Sequence, residues 1–186
     1  MKIGLVGENP SDTNCIEVLL KKEFGDTFSY VHLVKNINGS NLEEQKTKHI
    51  LRKEYANHKP DLVIFVRDLD SLRDNKKQWN MRKAYFTDFN SVVDRLGVPF
   101  IIIYELEAII LSDISAFNQK YGTQLIINKA PDLYLEPKEV LMKAYKYYDT
   151  GDNIDLFNNL DVNIVKRNYK YYDLLVRRIK QKTGQI

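Results

Sequence analysis

Asp68 and Asp70 stand two residues apart just beyond the apolar run Leu-Val-Ile-Phe-Val at 62–66. Two carboxylates held that close repel one another unless a cation or a proton lies between them. Two other apolar runs also end in acids. Residues 2–6 are followed by Glu8 and, four residues later, by Asp12; residues 98–104 are followed by Glu105 and Glu107, with Asp113 further along. Ligand sets made of oxygen alone select hard cations, so Mg²⁺ or Mn²⁺ is expected ahead of zinc. Such ions activate water and stabilise a leaving oxygen in phosphoryl transfer. Each acid also has a plainer reading. Asp12 could cap a helix, and Glu105 and Glu107 could complement a helix dipole. The recurrence of acids after three apolar runs is what favours a shared metal site.

These acids meet only if the runs are neighbouring strands. Strand patterns fall at 2–6, 28–34, 62–66 and 98–104. Helical patterns alternate with them: one capped by Ser11 or Asp12 and running to about 24, then 42–57, 80–96 closed by Gly97, and 105–121 ended by Gly122. Wholly apolar strands separated by helices predict a parallel sheet covered on both faces, with ligands at its carboxyl edge. The last third reads as a Pro-flanked loop at 130–137, a helix at 138–148, a turn at 150–153 and a final helix at 162–182. The expectation is one α/β domain with a Rossmann-like, mostly parallel core over about 1–128. A helical extension covers about 129–186. Segments 36–41 and 72–78 read as exposed loops, the second directly after the Asp pair.

The single Cys15 excludes an internal disulfide and a cysteine-based zinc cluster. No apolar run approaches the roughly 20 residues that span a bilayer, and no signal core opens the chain, so the cytoplasm is the expected compartment. A net charge of +3 does not by itself indicate a nucleic-acid partner, but its distribution matters. Between Lys166 and Lys182 seven cations face one acid. Lys166, Arg167, Lys170, Arg177 and Arg178 are candidate phosphate contacts, as are Arg67 and Arg73 beside the Asp pair, although each of these two reads more readily as a solvated or structural arginine. Tyrosines interleaved with them could stack on bases. The competing reading packs Leu174, Leu175, Val176 and Ile179 on the sheet and leaves the cations solvated. His32, His49 and His58 share no face and read as structural; Trp79 and Met81 read as packing residues.

In their order along the chain, these motifs resemble the TOPRIM domain of topoisomerases, primases and OLD-family nucleases. Glu8 and Asp12 match its first Glu and the acid that opens a helix four residues on. Asp68 and Asp70 match its Asp-x-Asp, and Tyr104-Glu-Leu-Glu-Ala-Ile-Ile-Leu-Ser-Asp113 looks like the OLD-branch segment, with Glu107 the better match. The resemblance covers about residues 1–121. It implies metal-dependent phosphodiester cleavage. Glu8 would be general base or ligand, Asp68 and Asp70 would hold Mg²⁺ or Mn²⁺, and Glu107 the same or a second ion, with Asp12 and Asp113 as further ligands. The chain looks closest to small stand-alone TOPRIM-like proteins of bacteria encoded beside an ATPase in phage-defence loci. That likeness implies a nuclease effector acting on DNA ahead of RNA and a separate ATPase subunit, with self-association left open. This chain has no Gly-rich ATP loop, so an ATPase would be another chain. Asn9 stands where the family carries glycine after its first Glu, and a left-handed turn is expected there because Asn tolerates it. Two alternatives remain: a haloacid-dehalogenase-like phosphatase phosphorylated on Asp68, and a non-catalytic regulatory subunit of an ATPase complex.

Overall fold

Four strands, β1 (Lys2–Val6), β2 (Ser29–His32), β3 (Leu62–Asp68) and β4 (Gly97–Ile102), form an all-parallel sheet in the order β2-β1-β3-β4. The computed structural model describes residues 1–35 and 41–185, so most of the loop expected at 36–41 lies outside the described residues. From β1 the chain steps to one side of the sheet, and from β3 to the other. Right-handed crossovers then place α1 (Pro10–Phe24) on one face, and α2 (Gln45–His58) and α3 (Lys76–Asn90) on the opposite face. The reversal between β1 and β3 opens a crevice beyond their carboxyl ends. The architecture is the expected Rossmann-like α/β class.

Both faces of the sheet are covered, which is why the strands read as unbroken apolar runs. Ile3, Leu5, Ile64, Val66, Val98 and Phe100 pack toward α1; Val6, Val63 and Phe65 pack toward α2 and α3. Six further helices follow among the described residues: α4 (Glu107–Ser112), α5 (Ile114–Tyr121), α6 (Pro137–Ala144), α7 (Asn153–Asn159), α8 (Val162–Asn168) and α9 (Lys170–Thr183). They extend the α1-side core as one continuous cluster. No described helix is long and apolar enough to cross a membrane.

The helix expected at 138–148 ends at Ala144 and the one expected at 42–57 begins at Gln45; three others differ more, each for a tertiary reason. The helix drawn from 80 to 96 begins at Lys76 and stops at Asn90, where the Asn90 side chain accepts a hydrogen bond from Gly97 N at 2.7 Å. Asp94 and Arg95 turn left-handed beside it, and Gly97 opens β4 instead of closing the helix. The helix expected at 105–121 divides at Asp113, whose carboxylate accepts from Asp161 N at 2.8 Å. The helix expected at 162–182 divides at Tyr169, a fully buried residue whose hydroxyl accepts from Ile103 N at 2.8 Å. α7 forms just after the turn at 150–153, in sequence that had no helical reading.

The Tyr169 hydroxyl pairs a backbone N–H just beyond β4 that would otherwise be buried without an acceptor. Tyr169→Phe is therefore expected to lower stability by about 1–3 kcal/mol, the cost of an orphaned buried donor. Urea denaturation reads this directly. An unchanged midpoint would mean that Ile103 N has found another acceptor.

Candidate active site at the carboxyl edge of the sheet

The alternation of β3 decides where its terminal charges go. Arg67 follows Val63 and Phe65 onto the α2–α3 face, and Asp68 follows Ile64 and Val66 onto the α1 face. Glu8 arrives between them on the loop after β1. That loop lies tight on α1: a Cβ on Gly7 would stand 2.6 Å from Thr13 Cγ2. Asn9 is extended (φ −131°), so the left-handed turn expected there does not form. It instead caps α1, accepting from Ser11 N at 3.1 Å, and Pro10 takes the first helical position, where a missing N–H costs nothing. Asp12 is thereby presented from the first turn of α1.

The left-handed residues at this edge are Asp70 (φ 55°) and Tyr104 (φ 63°). Asp70 N donates to Tyr104 O at 2.9 Å, and Tyr104 N donates to Ser71 O at 3.1 Å. This pairing continues the β3–β4 ladder past the strands and holds a bulky Tyr in a region it rarely adopts. It also ties the loop carrying Asp70 to the one carrying Glu105 and Glu107.

The edge has two halves. On the α1 side lie Asp12, Asp68 and Glu107. Glu107, 4% exposed at the start of α4, accepts from Asn153 Nδ2 at 3.0 Å and from the Tyr148 hydroxyl at 3.2 Å. Asp68 is half-buried, and no group among the described residues donates a hydrogen bond to its carboxylate. Burial, then the charges of Asp12, Glu8, Glu107 and Asp70, push Asp68 well above the usual carboxylate range. Burial likewise lifts Asp12 to about 6; the Ser11 hydroxyl opposes the rise, while Glu107 and Glu8 add to it.

On the α2–α3 side two buried guanidinium groups hold three carboxylates. Arg67 Nη2 and Arg82 Nη1 both reach Glu43 Oε1 at 2.8 Å. Arg67 Nη1 also pairs with Glu8, and Arg82 Nη2 with Asp70, while Arg82 Nε donates to Asp68 O at 2.8 Å. The Arg67–Glu8 contact is a charge pairing without hydrogen-bond alignment, so Glu8 Oε1 and Arg67 Nη1 lack a hydrogen-bond partner among the described residues. Burial raises the Glu8 pKa, with Arg67 the main opposing influence. Among the described residues, no three acids already stand as ligands around one point.

Several candidates lie elsewhere. Asp113 joins α5 to α8 instead: one carboxylate oxygen takes the Ser115 hydroxyl, the other takes Asp161 N. Arg67 is turned inward, 5% exposed, and so is not a free phosphate contact. In the tail, Lys166 pairs with Glu23 at 2.7 Å, Lys170 with Asp132 at 2.7 Å and Arg177 with Asp173 at 2.8 Å. Arg73, Arg167 and Arg178 are exposed, and Arg178 Nη1 donates to Pro99 O at 3.3 Å. Tyr169 and Tyr172 are buried and leave no face for a base. Glu105 Oε1 accepts from Lys138 N at 2.7 Å at the start of α6. His32 joins β2 to α1 through Thr13 at 2.9 Å and Glu17 at 2.6 Å.

The residues not anticipated are Glu43, Arg82, Tyr148 and Asn153. Arg82 carried one signal, its place in the stripe Arg82, Tyr85 and Phe89, which is the buried face of α3. Tyr148 and Asn153 carried none, being distant in sequence from the glutamate they hold. No family model, curated protein or solved structure matches this chain.

Proposed function

We propose that this chain is a metal-dependent nuclease that hydrolyses phosphodiester bonds at the crevice beyond β1 and β3. The observation that carries the reading is Asp68: a half-buried carboxylate whose charge is opposed by those of Asp12, Glu8, Glu107 and Asp70, and to which no described residue donates a hydrogen bond. Such a charge cluster is relieved by a proton or by a hard cation. The donor set, carboxylate oxygens throughout, suits Mg²⁺ or Mn²⁺. Asp68, Asp12 and Glu107 would hold the ion, with Asp70 joining them on release from Arg82. When bound, the ion supplies Lewis acidity at the phosphate and a more acidic bound water.

The chain's own groups do the rest. Glu8, raised in pKa and reaching the cluster from the β1 loop, takes a proton from the attacking water as its oxygen bonds to phosphorus. The P–O bond to the departing nucleotide breaks, and solvent returns a proton to the leaving oxygen. Arg67 holds Glu8, and Arg82 holds Asp70 until the ion takes it, neither arginine touching substrate. The likeness to TOPRIM proteins extends the proposal to a cytoplasmic anti-phage effector working with a separate ATPase subunit.

The test is cleavage of single- and double-stranded DNA and RNA by the purified chain in Mn²⁺, Mg²⁺ and EDTA. Product in Mn²⁺ but not in EDTA is expected. A second reading has its own observation: Arg67 and Arg82 already pair with Glu8, Glu43 and Asp70, as a purely structural lattice would. In that reading the chain is a non-catalytic subunit, and Mn²⁺ leaves its melting temperature unchanged.

A further inference from the structure

α3 carries two stripes. Arg82, Tyr85 and Phe89 face inward to the site and the core, while Trp79, Lys83 and Phe86 face a groove shared with β4 and α9. The groove floor is apolar, built from Phe86, Pro99, Phe100 and Leu174, and encloses about 160 Å³. Trp79 and Tyr171, both half-buried, form its walls and continue into a wider depression of about 570 Å³ beside Arg73, Lys170 and Arg177. An apolar cavity of roughly 150 Å³ admits one six-membered aromatic ring. The narrow part is therefore the size of a pyrimidine.

The charge around it is one-sided. Arg73, Lys83 and Arg178 have no carboxylate partner among the described residues, and the sole acid in the lining, Asp173, is taken by Arg177. Lys83 lies over the Trp79 ring at 5.8 Å. Arg73 lines the depression with Tyr171 and sits three residues beyond Asp70, so the groove starts beside the loop of the carboxylate site. Aromatic walls, an apolar floor and unpaired cations at the rim match a polymer with flat bases and repeated phosphates.

We propose that this groove binds single-stranded nucleic acid, one base lying between Trp79 and Tyr171 and the flanking phosphates meeting Arg73, Lys83 and Arg178. The proposal rests on the nuclease reading for its purpose, giving the track along which the substrate reaches the carboxylates, but binding itself requires no metal. The sequence pattern alone makes Trp79 a packing residue; in the fold its ring walls an open groove.

Trp79 is the chain's only tryptophan, so its emission reports on this groove alone. The experiment titrates an oligothymidylate of about 12 nucleotides into the full chain in EDTA at low salt. Saturable quenching of Trp79 is expected, weakening steeply as salt rises. The double variant Arg73→Ala with Arg178→Ala should bind at least about tenfold more weakly, its fold checked by circular dichroism. Trp79→Phe, followed by anisotropy of a labelled oligomer, should bind more weakly than wild type. Absence of binding, or binding without quenching and equal in the double variant, overturns the proposal. Equal quenching by an oligoglutamate of the same length also overturns it and points to an acidic protein partner. Oligomer binding is read in EDTA, where no metal takes part, and the double variant should still bind Mn²⁺, so failure of this proposal and failure of the metal site are separable.

Discussion

Asp68→Ala is expected to abolish divalent-dependent cleavage while making the metal-free protein more stable. Loss of metal-assisted charge stabilisation worth several kcal/mol corresponds to about a thousandfold in rate or more. The gain in stability comes from the same carboxylate, which in the metal-free fold is half-buried, repelled by four neighbouring acids and undonated. Its sign follows from linkage. The folded pKa of Asp68 is raised, so its stabilising contribution is fully present below the ordinary carboxylate pKa and is lost as pH rises through the folded value. Asp12 behaves alike between 3.8 and about 6, a gap equivalent to at most about 3 kcal/mol. Wild type in EDTA should therefore lose more stability between about pH 4 and pH 7 than Asp68→Asn or Asp12→Asn does, read as melting temperature against pH. A variant that keeps wild-type cleavage, or one that melts lower than wild type in EDTA at neutral pH, contradicts the assignment.

Arg67→Ala should be the most destabilising charge substitution at the site. The guanidinium is 5% exposed and faces both Glu8 and Glu43. Its removal leaves Glu8 uncompensated and Glu43 with Arg82 alone, and breaking a buried pair from one side costs about 3–5 kcal/mol. The loss should shrink as pH falls, because burial raises the pKa of Glu8 and its carboxyl takes up a proton. It should also shrink in Mn²⁺, which replaces the missing positive charge. Urea denaturation at two pH values, with and without Mn²⁺, measures all of this. A cost that is small and independent of pH would mean that the Arg67 and Arg82 lattice is not what holds Glu8 and Glu43 in place.

The strands are legible in the sequence because a sheet covered on both faces demands unbroken apolar runs, and Leu62–Val66 supplies one before Asp68. The acids that close β1, β3 and β4 are legible for the same reason: polar groups begin where the apolar layer ends. Helix division is not. The breaks at Asp113 and Tyr169 depend on partners 48 and 66 residues away, Asp161 N and Ile103 N. No local propensity encodes such bonds. Asp113 looks like a ligand because it continues the pattern of acids, yet its two oxygens are held by Ser115 and Asp161. Arg67 looks like a phosphate contact beside the Asp pair, and strand alternation sends it to the opposite face from Asp68. Arg82 and Glu43 are hidden among the ordinary charges of helical sequence; only the three-dimensional meeting with Arg67 gives them a role.

If carboxylates from three strand ends share a hard divalent ion, that ion must compete with the protons they hold. Calorimetric titration of Mn²⁺ into the metal-free chain at about pH 6, run in two buffers of different ionisation enthalpy, reads this competition. The expected result is saturable binding whose apparent enthalpy depends on the buffer, because the ion displaces protons held by Asp68 and Asp12. Asp68→Asn should weaken the binding and reduce the proton release. No saturable heat, or the same titration curve in Asp68→Asn, would rule out the shared ion.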